Sequence, residues 1–431
     1  MHSWMRDLFP ICRSITGDGV RQTLNYLNEI VPELNVHEVP TGTKVFDWEV
    51  PDEWNIRGAY LEDEEGNRIL DFADNNLHVV GYSEPIDAWL SLDELEPYLH
   101  SLPEQPEAIP YVTSYYQRRW GFCLPHRVRE NLQAGRYRAV IDSTLEPGHL
   151  TQADLLLRGR EEKEILISTY VCHPSMANNE LSGPVVAIAL AEWLAGLQDR
   201  RYSYRFVFGP ETIGAITYLS RNLQAMKEKT IAGFVATCIG VDRGYCFTAS
   251  RQGNTLSDRV ARHILGHISA DFEEHHYLKR NSDERHYCSP GVDLPVIAVM
   301  RSRFVEQLEY HTSLDNLSLV TPDALRDSFI LFQGLIQAIE GNDCYIATVP
   351  CEPQMGKRGL YPTLATNGVD DQTTLFMDIL SYSDGDHDLL AIADMTGTPI
   401  AQCMKAVERL RSAGLIRKAD AVSSVYRLIQ N

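Results

Sequence analysis

Two histidines, an asparagine–glutamate pair, a further glutamate and an aspartate stand where a chain could assemble a hydrolytic or metal-binding site. His173 leaves the apolar run Ile165 to Val171, and six residues later Asn179-Glu180-Leu181-Ser182-Gly183 opens an apolar stretch from Val185 to Leu197. Glu211 follows Phe206–Phe208 through Gly209-Pro210, Asp242 follows Phe234–Ile239, and His311 comes a loop after Leu294–Met300. In open α/β sheets, ligands bind outside the carboxyl ends of the strands. Polar residues just past four different apolar runs can therefore converge. A histidine leaving a strand, with a polar cluster at a helix entrance, is a common way to build a metal site. Asn179 stands where such a site usually holds an anionic oxygen, so the segment both suggests a hydrolase and questions it.

Each residue also has a plainer reading. His173 could be an ordinary loop residue. Glu211 could be a carboxylate at a helix N-terminus, where the dipole favours it. Asp242 beside Arg243 could be an ion pair. Asp315, four residues after His311, could orient that histidine or cap the next helix. Arg285 and Arg301 could hold a substrate carboxylate bidentately or form surface salt bridges. Cys172 suggests a nucleophile, but neighbours on a strand point to opposite faces.

The elements that must position these groups change texture along the chain. Residues 1–40 read as helical, with Leu24, Leu27, Ile30 and Val31 at helical spacing. From 45 to 126, short apolar runs rich in Trp and Tyr alternate with turn signals such as Glu65-Gly66-Asn67, which predicts a compact, β-rich module. From Tyr137 to Gly341, strands (Ala139–Ser143, Glu164–Val171, Tyr204–Phe208, Gly233–Ile239, Leu294–Met300) alternate with helical patterns. The last of these is Pro322–Glu340. This predicts an α/β fold, an open mixed sheet flanked by helices, over residues 1–44 and 127–345. Residues 346–431 read as a linker (Pro350 to Thr366) and a winged helix-turn-helix. Its strand at Gly414-Leu415-Ile416 is expected to pair with Ser424–Leu428.

Bulk properties narrow the function. At 431 residues the chain can hold two or three domains. A net charge of −20 argues against a general nucleic-acid or anionic-membrane partner. The winged-helix region holds 8 Lys/Arg against 10 Asp/Glu, too few cations for strong phosphate binding, so a protein-contact or substrate-lid role is expected. Nine scattered cysteines read as reduced cytosolic thiols. The start MHSWMRDLFP shows no signal peptide, and the longest apolar stretch, Leu181 to Leu197, is too short to span a bilayer. A cytoplasmic location is expected.

The order of motifs resembles the co-catalytic zinc aminopeptidases, the clan that includes glutaminyl cyclases. Its pattern is a His after a strand, an Asp-Asn-x-Ser-Gly turn, a Glu-Glu pair, an Asp, and a Tyr-His-Thr-x-x-Asp motif. Here these positions are His173, Asn179-Glu180-Leu181-Ser182-Gly183, Glu211-Thr212, Asp242 and Tyr310-His311-Thr312-Ser313-Leu314-Asp315. Ser282-Asp283-Glu284-Arg285, then Gly291-Val292-Asp293-Leu294-Pro295, is similar to the clan's Ser-Asp-His…Gly-x-Pro segment. Nearly the whole chain resembles a bacterial aminopeptidase-like subgroup with an inserted β domain and a C-terminal winged helix. Pro10-Ile11-Cys12-Arg13-Ser14-Ile15-Thr16-Gly17, Trp48-Glu49-Val50-Pro51 and Leu360-Tyr361-Pro362-Thr363 fit that subgroup.

Two departures shape the expected chemistry. Asn179 occupies the bridging Asp position and Thr212 that of the second Glu. Bridging two cations needs an anionic oxygen, so the resemblance implies one zinc per chain at most. His173 and His311 would be ligands, with Asp242 or Glu180 as a third and Asn179 assisting. Glu211 would be the general base, taking a proton from water as it attacks a carbonyl. Asp283, Arg285, Arg301 and Tyr310 are candidate substrate contacts, and Asp315 and Thr212 would act from behind. The expected reaction is hydrolysis of an amide in a small peptide or aminoacyl conjugate, with a homodimer as a candidate assembly. The rivals are acyl transfer or cyclisation in the same pocket, and a metal-free binding or scaffold protein.

Overall fold

The structure is a computed structural model and describes residues 1–303, 306–360 and 371–419. The chain divides into two compact units, residues 1–257 with 271–330, and residues 258–270 with 331–431.

The first unit is built on an eight-stranded mixed sheet. Its order is Asn35–Pro40, His149–Leu157, Ser203–Gly209, Glu164–Tyr170, Thr230–Ala236, Val296–Arg301, Tyr245–Thr248, Glu273–His275. Every residue of Glu164–Tyr170 is buried, and the strand runs parallel to both neighbours. A strand covered on both faces reads as a continuous apolar run, which is why Ile165 to Val171 is so plain in the sequence. Its carboxyl end delivers His173, and the adjacent Ser203–Gly209 delivers Glu211. Helix Ser182–Ala195 is buried on every side from Ser182 to Ile188 and reaches solvent only toward its end, at Glu192 and Ala195. Its start lies so close to the sheet that a Cβ on Gly183 would sit 2.3 Å from the Ala236 carbonyl oxygen. Glycine is therefore required there, where the turn after His173 meets the strand ends.

A second sheet of four antiparallel strands runs Arg68–Asp71, Glu53–Asp63, Arg136–Glu146, Ile86–Ser91. Ala139–Ser143, expected in the main sheet, belongs here instead. Tyr137, Ala139 and Ile141 alternate inward onto Leu61, Leu70 and Phe122. That period of two is the mark of a sheet buried on one face only. Residues 45–126 fall in the same compact unit as the eight-stranded sheet.

In the second unit, helices Asp371–Ser381, Leu389–Thr396 and Ile400–Ser412 accompany a three-stranded sheet ordered Asp384–Asp388, Cys344–Ala347, Ile416–Lys418. Strand Ile416–Lys418 pairs with Cys344–Ala347. The expected partner Ser424–Leu428, and part of the linker Pro350 to Thr366, lie outside the described residues. Within this unit Arg259 holds the Asp388 carboxylate with both terminal nitrogens, at 2.8 and 2.6 Å. Among the described residues, no helix is long and apolar enough to cross a membrane.

Candidate active site

His173 is buried, and its Nδ1 lies 2.8 Å from Glu180 Oε2. Glu180 is fully buried, as is Arg13, whose Nε is 3.5 Å from Glu180 Oε1 and donates to the His173 carbonyl at 3.0 Å. Arg13 also donates to Leu8 O at 2.8 Å. The chain Arg13–Glu180–His173 thus fixes the ring and leaves Nε2 for the cavity, the usual service of a carboxylate behind a metal-binding histidine. Burial pulls the His173 pKa down, but the hydrogen bond and charge of Glu180, joined by Glu211, outweigh it and leave it raised. Glu180, expected as a possible metal ligand, is committed to Arg13 and His173.

His311 lies beside His173, with ring centroids 5.4 Å apart, and Tyr310 stacks on it at 3.8 Å. Burial, then the neighbouring His173, lowers the His311 pKa to about 3, which keeps its lone pair available. Asn179 sits in a π-helical turn, Ala177–Leu181, a distortion often found at functional sites. Its Nδ2 donates to Tyr170 at 3.0 Å. Asp315 neither orients His311 by a direct hydrogen bond nor caps the helix after it. Its two oxygens accept the Asn178 and Asn179 amides at 2.6 and 2.8 Å, so it caps the turn that presents Asn179.

Glu211 Oε2 lies 3.8 Å from His173 Nε2. Its pKa is raised by burial, against the pull of His173 and Arg285. Thr212 has φ +64°, costly for a β-branched residue. Its amide donates to Asp283 Oδ1 at 2.8 Å and its hydroxyl accepts from Arg285 Nη2 at 2.6 Å. Asp283 is buried, and burial followed by the charge of Glu211 pushes its pKa up to about 8. Asp283, Arg285 and Tyr310 are all electrostatic neighbours of Glu211.

Asp242 and Arg301 do not join this cluster. The Asp242 side chain is 86% exposed and pairs with Arg301 at 3.2 Å, rather than with Arg243, which holds Glu309. Arg301 is buried and also engages Arg243 O and the Tyr245 hydroxyl, so its guanidinium is already occupied. The strand-end rule places residues near a sheet edge but does not say which way a side chain turns. Cys172 lies beyond its strand, so strand alternation does not separate it from His173, and its Sγ is 3.3 Å from His173 Nδ1. Burial and Glu180 hold its thiol well above the ordinary range, which disfavours a nucleophile.

A cavity of about 260 Å³ opens onto His173, Glu211 and Thr212, walled by Ile15, Trp48, Tyr115 and Tyr116. Tyr111 touches both imidazoles, with centroids 5.2 Å from His173 and 5.1 Å from His311. Its amide donates to the His311 carbonyl at 2.9 Å. Arg13, Tyr111, Tyr115 and Tyr170 went unnoticed in the sequence. Arg13 lay within Pro10–Gly17, a phrase recognised only as a family resemblance.

The donor set suits one metal ion. His311 Nε2 and Asn179 Oδ1 are buried without a hydrogen-bond partner among the described residues. His173 Nε2 is the nitrogen left once Nδ1 meets Glu180. Two imidazole nitrogens and a neutral oxygen are donor types that zinc accepts. Cys172, His173 and Glu180 also have ligand atoms within 4.8 Å of one another, but Arg13 neutralises that carboxylate and the thiol resists ionisation.

The fold is that of the zinc aminopeptidases. BSAP, a zinc aminopeptidase from Bacillus subtilis, superposes with a TM-score of 0.56 at 12% identity, over 78% of this chain and 93% of that one. The chain itself belongs to the family described as Domain of unknown function (DUF4910), which matches residues 2–342, while a winged helix-turn-helix family matches residues 343–418. A Clostridium acetobutylicum protein is 42% identical over 421 residues, 97% of this chain and 96% of that one. Its name provisionally assigns it to polysaccharide biosynthesis, with an aminopeptidase-like domain. A crystal structure from the same organism, provisionally titled a peptidase, matches with a TM-score of 0.92 at 41% identity, over 97% and 95% of the two chains.

Proposed function

We propose that the chain hydrolyses an amide bond in a small peptide or aminoacyl conjugate, with one zinc held by His173, His311 and the Asn179 side-chain oxygen. The observation that supports this reading is that His173 and His311 lie with ring centroids 5.4 Å apart, with His173 Nε2 3.8 Å from the Glu211 carboxylate, while His311 Nε2 and Asn179 Oδ1 are buried without a hydrogen-bond partner among the described residues. A zinc ion bound there supplies Lewis-acid polarisation of the scissile carbonyl. Glu211, its proton affinity raised by burial, takes a proton from the attacking water as the new C–O bond forms. It then gives the proton to the departing nitrogen as the C–N bond breaks. Tyr310 braces His311, while Arg285, bonded to the Thr212 hydroxyl and close enough to act on the Glu211 charge, is the candidate to bind a substrate carbonyl or carboxylate. The winged helix, with its slight excess of acidic residues, is assigned to protein contact rather than to nucleic acid.

The test is zinc-reconstituted protein with aminoacyl amides in heavy-oxygen water. Hydrolysis labels the product carboxylate, whereas cyclisation or acyl transfer leaves it unlabelled. Protein that holds less than roughly a tenth of an equivalent of zinc after reconstitution, and cleaves nothing, rules the reading out.

A further inference from the structure

A second cavity, of about 410 Å³, shares Tyr116 with the His173 cavity. Tyr116 is 51% exposed and meets Trp48 edge-on, with centroids 5.9 Å apart. We propose that this second cavity holds the amine half of the substrate, and that this half is an amino sugar. The inference rests on the amide-hydrolase reading, since it names what lies across the scissile bond.

Four observations converge on a neutral or cationic, hydroxyl-rich ring. The open aromatic wall is Tyr116, backed by Tyr82, which is itself buried and stacked on Trp54; both backbones hold left-handed φ, +63° and +67°. Left-handed backbone at non-glycine residues is costly and persists where surrounding structure enforces it, often at ligand sites. The polar lining offers the Gln117 amide, which can grip two neighbouring hydroxyls, and the Glu49 and Asp52 carboxylates, each with an oxygen beyond its ion pair to accept from one. Arg118 is matched by Asp52 at 2.9 Å and Glu84 at 3.3 Å, and Lys44 pairs with Glu49, so these three carboxylates against two cations leave net negative charge for a phosphate or carboxylate ligand to meet. An extended peptide finds little open backbone. The Thr41 amide donates to Gly148 O, Gly42 to Val50 O, and Val50 to Thr43 O, at 2.9 to 3.0 Å. A pyranose has an apolar C–H face for a tyrosine ring and a rim of hydroxyls for the acids and amide, which is the complement of this lining.

The experiment compares zinc-reconstituted protein acting on the N-leucyl amides of glucosamine, galactosamine and mannosamine with its action on leucylglycine. At least one sugar conjugate is expected to exceed the dipeptide in kcat/KM by about tenfold or more. Tyr116→Ala should collapse that ratio toward one, and so should Gln117→Ala, a change at an exposed side chain that spares the fold. If leucylglycine is cleaved at least as well as every sugar conjugate, the inference falls while the hydrolase reading stands. If nothing is cleaved, the hydrolase reading falls. Saturation-transfer NMR of the three free amino sugars on the metal-free protein then decides the subsite. A signal lost in Tyr116→Ala and Gln117→Ala supports it, and no signal, or one both variants retain, overturns it.

Discussion

His173 Nδ1 and Glu180 Oε2 lie 2.8 Å apart, and the other oxygen of that carboxylate faces the guanidinium of Arg13 with no solvent reaching either group. The pair is a buried ion pair with an imidazole attached, and its worth lies in what happens when one member is removed. Arg13→Ala leaves Glu180 buried and uncompensated, a loss expected to cost about 3–5 kcal/mol in urea denaturation. In a folded Arg13→Lys protein, the nitrogen-15 shifts of His173 should still report a protonated Nδ1. A shift pattern with the proton on Nε2 would show that Glu180 does not set the tautomer.

Metal content separates the residues the site gathers from those it leaves outside. His173→Ala and His311→Ala should each fall to background zinc after dialysis. Asp242→Asn should retain the wild-type stoichiometry, because its carboxylate is turned to solvent. Zinc lost from Asp242→Asn would return that residue to the ligand set.

Glu211→Gln keeps the shape of the side chain and removes its basicity. The expected outcome in steady-state kinetics is a fall in kcat of about 10²–10⁴, with KM and zinc content little changed. A drop in zinc content would instead make Glu211 a ligand.

Away from the site, Glu53 bonds Arg21, the His149 amide at 2.9 Å and Asn55 at 3.0 Å. Burial opposes its ionisation, but these partners outweigh it and hold its pKa at about 2, below the ordinary 4.5. A depressed carboxyl stabilises the fold above its unfolded pKa and loses that contribution as pH falls toward the folded value. The stability difference between wild type and Glu53→Gln should therefore be constant near neutrality and close between about pH 4.5 and 2, read by denaturant titration at each pH.

The sequence made the carboxyl ends of the main strands legible, because a fully buried parallel strand leaves an unbroken apolar run. His173, Glu211 and His311 followed from that. Asp242 was misjudged because chain position after a strand carries no information on which way the carboxylate turns. Arg13 was out of reach for another reason. It bonds a backbone oxygen 160 residues away, and nothing local to Pro10–Gly17 marks an arginine that will be buried. Arg136–Glu146 alternates as a one-face-buried strand does, so its place in the smaller sheet was present in the pattern but not weighed.

The groups around His173 arrive from Arg13, Tyr111, Asn179, Glu211, Arg285 and His311, with Asp315 closing the turn beneath Asn179. Only the short run from Cys172 to Glu180 brings several of these groups together locally; the others come from far along the chain. On the ribosome, Arg13 must wait for some three hundred residues of later chain, up to His311, before its surroundings are complete, and the metal site proposed above is unfinished until then. Zinc capture would then mark the finish of synthesis of this unit rather than guide its beginning, and truncated or stalled chains would leave the cell's zinc untouched.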